Sequence, residues 1–297
     1  MKRQWCAAVF VLVLLFASIE LQGQNAELDR TAFEKAKAKA EQGDAAAQRT
    51  LGLMYGNGRG VSQDYAEALK WFRKSAEHAD AIAQSALAMM YRDGQGVMQD
   101  YAEALKWFRK AAEQGDPLGQ LNLGMMYSDG HGVPQDYPEA VRWFRKAVQQ
   151  NYAPAQYNLA ICYTKGQGVA KDEVEGMNWC RKAADQNYAD AQMSVGAAYF
   201  YGKGAPKDNV EAVKWFRKAA EQGHAAAQLS LGMSYANGDG VPRNYTEAYK
   251  WYSLAESQGN ESAKEYLQKL ELRMPPEQVA EAQRLAREFK PHKTSDH

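Results

Sequence analysis

The chain has 297 residues, in which Lys plus Arg and Asp plus Glu each total 36. That balance excludes the basic stripe with which nucleic-acid binders displace counterions, and a 45% hydrophobic share is that of an ordinary folded protein. A length near 300 by itself suggests two globular domains, but an internal period overrules it. Gln48, Gln84, Gln120, Gln156, Gln192 and Gln228 recur every 36 positions, so the chain reads as one tandem array whose units bury apolar faces only against their neighbours.

In chain order, residues 1–23 stand apart from the repeats. Lys2 and Arg3 precede an apolar run from Trp5 to Ile19, and the small Gly23 stands before Gln24, the layout of a signal peptide. The run is shorter than the roughly 20 residues needed to span a bilayer, so cleavage and export to the periplasm or the secreted space are expected, with no membrane span afterwards. Cys6 lies before or within the apolar run rather than just after the cleavage region, which argues against a lipid-attached cysteine. Residues 24–43 are expected to form an N-terminal capping helix, of which 31–43 match the tail of a repeat.

Six repeats follow, at 44–79, 80–115, 116–151, 152–187, 188–223 and 224–259, with the start of a seventh carrying the array to 267. In the first, Ala47, Leu51 and Met54-Tyr55 fall on one helical face, and Ala68, Phe72 and Ser75-Ala76 on another, which predicts two amphipathic helices. Gly58 and Gly60, repeated in every unit, suit the turn between them because glycine takes positive φ freely. Asp64 and Glu67, repeated as Asp or Asn with Glu three residues on, resemble a capping box at the second helix. That helix is expected to end at a residue tolerating the left-handed conformation: Gly115, Asn151, Asn187, Gly223 or Gly259, with Ala79 as the departure. Small residues at Gly52 and Ala68 let the paired helices approach. Lys70, Arg73, Lys74 and Glu77 read as a solvated outer stripe. Beyond the repeats, residues 268–297 hold a C-terminal capping helix and a polar tail, with Pro275-Pro276 as the break and Val279, Ala282, Ala286 and Phe289 on one stripe.

The Leu-Gly-x-Met-Tyr, Gly-x-Gly-Val-x-Gln-Asp-Tyr and Ala-x-Lys-Trp-Phe-Arg-Lys-Ala-Ala motifs closely resemble those of the Sel-one-like repeat (SLR) family, relatives of the tetratricopeptide repeats. The resemblance covers residues 44–267. It implies an all-α fold, an α/α right-handed superhelical solenoid of helix-turn-helix repeats with helical caps, whose first helices line a concave face. It implies an adaptor role in binding other proteins. Exported bacterial members of the family are associated with envelope assembly, signalling and host contact. Cysteine-rich members credited with acting on penicillin-like compounds carry a disulfide in nearly every unit; this chain has its repeat cysteines in one unit, so that activity is not transferred.

Those cysteines are Cys162 and Cys180, where other units have Met54 or Phe72 and their equivalents. A disulfide tying the two helices of the fourth repeat is one reading; a pair of small buried apolar residues is the other. His78, His131, His224, His292 and His297 share no ligand spacing, and neither a metallohydrolase nor a serine-hydrolase motif is present. No catalytic residue, metal or cofactor is expected, and the chain reads as a non-enzyme.

If the first helices face inward, a groove is lined by the positions equivalent to 46, 49, 53, 56 and 57, where the units differ most. Arg92, Leu121, Tyr157, Lys165, Met193, Phe200 and Tyr201 are the candidate partner-binding residues, with Leu121, Tyr157, Met193, Phe200 and Tyr201 forming an exposed apolar patch beside Lys165. The expected function is a monomeric protein-binding scaffold in the envelope or secreted space, taking a protein or peptide in that groove. The alternative is a binder of peptidoglycan or another envelope carbohydrate, using the aromatic residues as stacking platforms.

Overall fold

The computed structural model describes residues 27–291; the expected signal peptide at 1–23, the start of the expected cap at 24–26 and the tail at 292–297 lie outside them. Among the described residues all regular structure is helical. A first helix, α1 (27–41), precedes the repeats. The first three repeats hold α2 (Ala45–Asn57) and α3 (Tyr65–Glu77), α4 (Ala81–Asp93) and α5 (Tyr101–Glu113), and α6 (Pro117–Asp129) and α7 (Tyr137–Gln149). Then come α8 (Ala153–Lys165) with α9 (Glu173–Asp185), α10 (Ala189–Tyr201) with α11 (Asn209–Glu221), and α12 (Ala225–Asn237) with α13 (Tyr245–Glu256). Two helices, α14 (Glu261–Glu271) and α15 (Pro276–Glu288), complete an all-α repeat solenoid. Packing divides the chain after Gln135 into two compact units, and each is described by itself.

Backbone chemistry fixes each hairpin. Asp64 caps α3 by accepting from the N–H groups of Ala66 and Glu67, and Asp100 and Asp172 do the same for α5 and α9. The capping box is only half made. The Asp64 N–H goes instead to the carbonyl of Tyr55 at 2.9 Å, closing the loop. The Glu67 carboxylate meets Lys70 at 2.8 Å and the Trp71 indole N–H at 3.2 Å. Second helices end on a left-handed residue, Gly115, Asn151, Asn187, Gly223 or Gly259; in the first repeat Ala79 is forced to φ 61°. The second turn glycine serves packing as well as the turn: a Cβ on Gly96 would stand 2.4 Å from the Tyr65 carbonyl oxygen of the preceding repeat, and one on Gly240 2.1 Å from that of Asn209.

Side chains then join each repeat to the next. Gln84 donates to the Ala76 carbonyl at 3.1 Å and Gln192 to that of Ala184 at 3.2 Å, so the residue that marks the period ties a first helix to the end of the preceding second helix. The stripe expected to be merely solvated is partly structural, because helix packing brings the next repeat alongside it. Arg73 donates to the Tyr91 hydroxyl, Arg109 to that of Tyr127 at 2.9 Å, and Arg217 to that of Tyr235 at 2.7 Å. Lys74, Lys110, Lys182 and Lys218 place their ammonium groups 3.9 to 4.2 Å from the ring centres of Trp71, Trp107, Trp179 and Trp215.

At the start of the first unit, Phe33, Ala36 and Ala40 of α1 pack with Leu51, Met54 and Trp71. At the end of the second unit Ala282 of α15 is fully buried among Tyr249, Tyr252 and Leu270, with Val279 packed alongside. Phe289 sets its edge against Trp251 at 5.4 Å.

Candidate functional site

One exchange in the second unit sets the fourth repeat apart. Phe72, Phe216 and Tyr252 fill the space between paired helices so tightly that a Cβ on the facing glycine, Gly52, Gly196 or Gly232, would lie 2.8, 2.5 or 2.6 Å from the ring. In the fourth repeat Cys180 stands at the ring's position, and Gly176 stands where the other repeats have alanine. Between α8, α9 and α10 lies a cleft of about 450 Å³ that includes the buried Ala160, Gly176, Met177 and Cys180. Tyr157, Lys165, Lys171, Glu173, Ser194, Tyr201 and Lys203 also border it.

The cleft is electrically asymmetric. Lys171 pairs with Glu173 at 2.8 Å, and Lys171 and then Lys203 hold that carboxyl below the usual carboxylate range. Lys165 adds a third ammonium group to the border of a cleft whose one carboxylate is Glu173. The Tyr157 hydroxyl lies 3.2 Å from Ser194 Oγ with its ring edge-on to Tyr188 at 5.5 Å, and burial pushes its phenol pKa up. Tyr201 is 68% exposed and meets Phe200 edge-on at 5.1 Å.

In this structure Cys162 and Cys180 are free, buried thiols, the second of the two readings, and Cys180 donates to the Ala191 carbonyl at 3.4 Å. Burial pushes their pKa values up to about 11 and about 12, leaving both protonated near neutral pH and neither a ready thiolate nucleophile. Among the described residues no three His, Cys, Asp or Glu side chains gather as a metal site would require.

Of the candidate residues, Tyr157, Lys165 and Tyr201 come together at the cleft. Met193 and Phe200 are half-buried against the core of the fifth repeat, Phe200 at 6.3 Å from Phe216. In the first unit Arg92 is engaged by Asp93 and by Asn122 Oδ1 at 2.6 Å. Leu121 is buried rather than part of an exposed patch, and the reason lies in its column. The position-49 side chain packs toward the N-cap of the following first helix: Arg49 pairs with Asp80 at 2.7 Å, Ser85 donates to Asp116, and Tyr157 packs on Tyr188. Variation there follows the neighbouring repeat, so it is no evidence of a ligand.

The first unit holds a cleft at the corresponding place, about 400 Å³ between α2, α3 and α4, which the list of candidates missed. Leu53, Ile82, Met89 and Leu118 border it, Leu53 and Ile82 being 45% and 51% exposed. The signal was present at positions 46 and 53, where apolar residues sit on a helix face expected to meet solvent. Around this cleft Asn57, Gln63, Tyr65 and Gln95 occupy the places of Lys165, Lys171, Glu173 and Lys203.

A family model described as Sel1 repeat matches residues 45–80, 81–116, 117–152, 153–188, 189–224 and 225–260. The chain is similar to the crystal structure of a Sel1 repeat protein from Oxalobacter formigenes, at 28% identity and TM-score 0.68 over 78% of this chain and 96% of that one. It is also similar, at 33% identity and TM-score 0.53, to c5321, a protective antigen of uropathogenic Escherichia coli displaying an SLR fold; 88% of this chain and 64% of that one are covered. An immunity protein of Pseudomonas aeruginosa, Pa5087, shares the fold at 21% identity and TM-score 0.52, over 72% of this chain and 81% of its own. No curated protein matches the chain.

Proposed function

The chain belongs to the Sel1 repeat family, whose members are generally protein-interaction scaffolds, and from that premise we propose that it is itself a non-catalytic, monomeric scaffold that binds a protein or peptide partner. The observation that carries the reading is the fourth-repeat cleft, where an exposed Tyr201, a half-buried Tyr157 and Lys165 border a floor of buried Ala160, Met177 and Cys180. Export to the envelope or secreted space belongs to the same proposal; its support is the Lys2-Arg3 start followed by the apolar run.

The test is in-situ crosslinking with mass spectrometry on the intact protein and on a Tyr157→Ala/Tyr201→Ala variant of equal helicity. A partner captured by the first and lost by the second is expected; identical capture by both would remove the cleft from the function. Envelope carbohydrate is the second reading, favoured by the exposed Tyr201 ring. Co-sedimentation with purified peptidoglycan, abolished by Tyr201→Ala, is its distinguishing result.

A further inference from the structure

We propose that the fourth-repeat cleft is a specificity pocket for an acidic peptide segment, taking one aromatic or branched apolar side chain among Gly176, Met177 and Cys180 and the flanking carboxylates at Lys165, Lys171 and Lys203. The proposal rests on the scaffold reading above and names the chemistry of the partner.

Three observations carry it. The first is shape: the cleft is floored by the buried Ala160, Met177 and Cys180, so an incoming ring or branched side chain meets apolar surface there. The second is charge, which is particular to this repeat. The first-unit cleft is bordered at the equivalent places by the uncharged Asn57, Gln63, Tyr65 and Gln95, whereas here three lysines face Glu173 alone, in a chain whose formal net charge is zero. Lys171 is paired with that carboxylate, which leaves Lys165 and Lys203 as the positive excess. The third is distribution. Lys165 ends α8, Lys171 precedes α9 and Lys203 follows α10, so the cations come from two successive loop regions and suit several carboxylates along a chain.

The probes are fluorescein-labelled peptides with a central Phe between Glu and Asp residues, the same peptide with Ala for Phe, and one with Lys for each acid, followed by fluorescence anisotropy on the intact protein. Affinity for the first is expected to exceed that for either control by about tenfold or more, and to fall as salt rises. Lys165→Glu/Lys203→Glu, on exposed positions, should lower it by about tenfold. Cys180→Phe should remove the preference for Phe over Ala while keeping thermal stability, because the second repeat carries Ala88 and Phe108 at the places of Ala160 and Cys180. Equal affinity for the three peptides, or a preference that survives Cys180→Phe, would overturn the proposal. So would free phenylacetate displacing the peptide at matching affinity, which would make the site one for a small aromatic acid. Partner capture in cells with no peptide preference would leave the scaffold standing and this pocket refuted; peptide preference with no captured partner would do the reverse.

Discussion

The side-chain amide of Gln186 donates to Oε1 of Gln156 at 2.7 Å, joining the end of one second helix to the first helix of its own repeat. The same bond runs from Gln114 to Gln84, Gln222 to Gln192 and Gln258 to Gln228. In the first repeat His78 stands in the donor's place, and Oε1 of Gln48 is buried with no hydrogen-bond partner. A buried acceptor without a donor costs about 1 to 3 kcal/mol, so His78→Gln is expected to stabilise the chain by about 1 kcal/mol. Urea unfolding of the two proteins measures it, and an unchanged midpoint would mean that water already serves Gln48.

The neighbouring Ala79 holds φ 61°, a conformation that costs an L-residue about 1 to 2 kcal/mol and glycine little. Ala79→Gly should therefore stabilise by about 1 kcal/mol, after the greater unfolded-state freedom of glycine is subtracted. A loss of stability in thermal or urea melts would show that this end relaxes in solution.

Two glycines with similar backbone conformations should respond differently to alanine. At Gly115, φ 90°, a Cβ meets nothing within 4 Å, and Gly115→Ala should cost about 1 kcal/mol from conformation alone. At Gly96, φ 69°, it meets the Tyr65 carbonyl at 2.4 Å, and Gly96→Ala should cost about 3 kcal/mol because backbone must move. Equal losses would remove the inter-repeat contact as the reason for the second turn glycine.

The buried thiols give a pH dependence. An unfolded cysteine titrates near about 8.5, whereas Cys162 and Cys180 are pushed up to about 11 and about 12. Above about pH 9 the folded chain binds more protons than the unfolded one, so stability should fall as pH rises from about 9 toward 12. Burial raises the phenols of Tyr188 and Tyr252 in the same direction. Cys162→Ser/Cys180→Ser should flatten the slope without abolishing it. Iodoacetamide should label both cysteines rapidly only after denaturation; rapid labelling of the native protein at pH 8 would contradict their burial.

Much of this architecture is legible in the amino-acid order because local dihedral demands set it. Asp64 before a helix and Gly58 after one state their roles without reference to the rest of the chain. What was not legible depends on partners distant in sequence. Glu67 looks like half of a capping box until the Tyr55 carbonyl takes the Asp64 N–H, and Arg73 looks like a solvated charge until Tyr91 arrives beside it. Leu121 was misplaced because column 49 was read alone; set beside the residue 31 positions later, Arg49 with Asp80 and Ser85 with Asp116, it shows a matching of neighbours. The cleft gathers residues from α8, α9 and α10, Cys180 among them, and no one segment shows that they meet. As a pair, Cys162 and Cys180 suggested a bond instead.

That matching bears on how such a gene can change length. Recombination between repeats that deleted the second one whole would set Arg49 opposite Asp116, an acidic partner like the one it has now. Deleting the second and third together would set it opposite Tyr152, and the guanidinium would lose its carboxylate. Copies with interchangeable backbones are therefore not interchangeable in order, and the junction residues determine which rearranged genes still encode a well-joined protein.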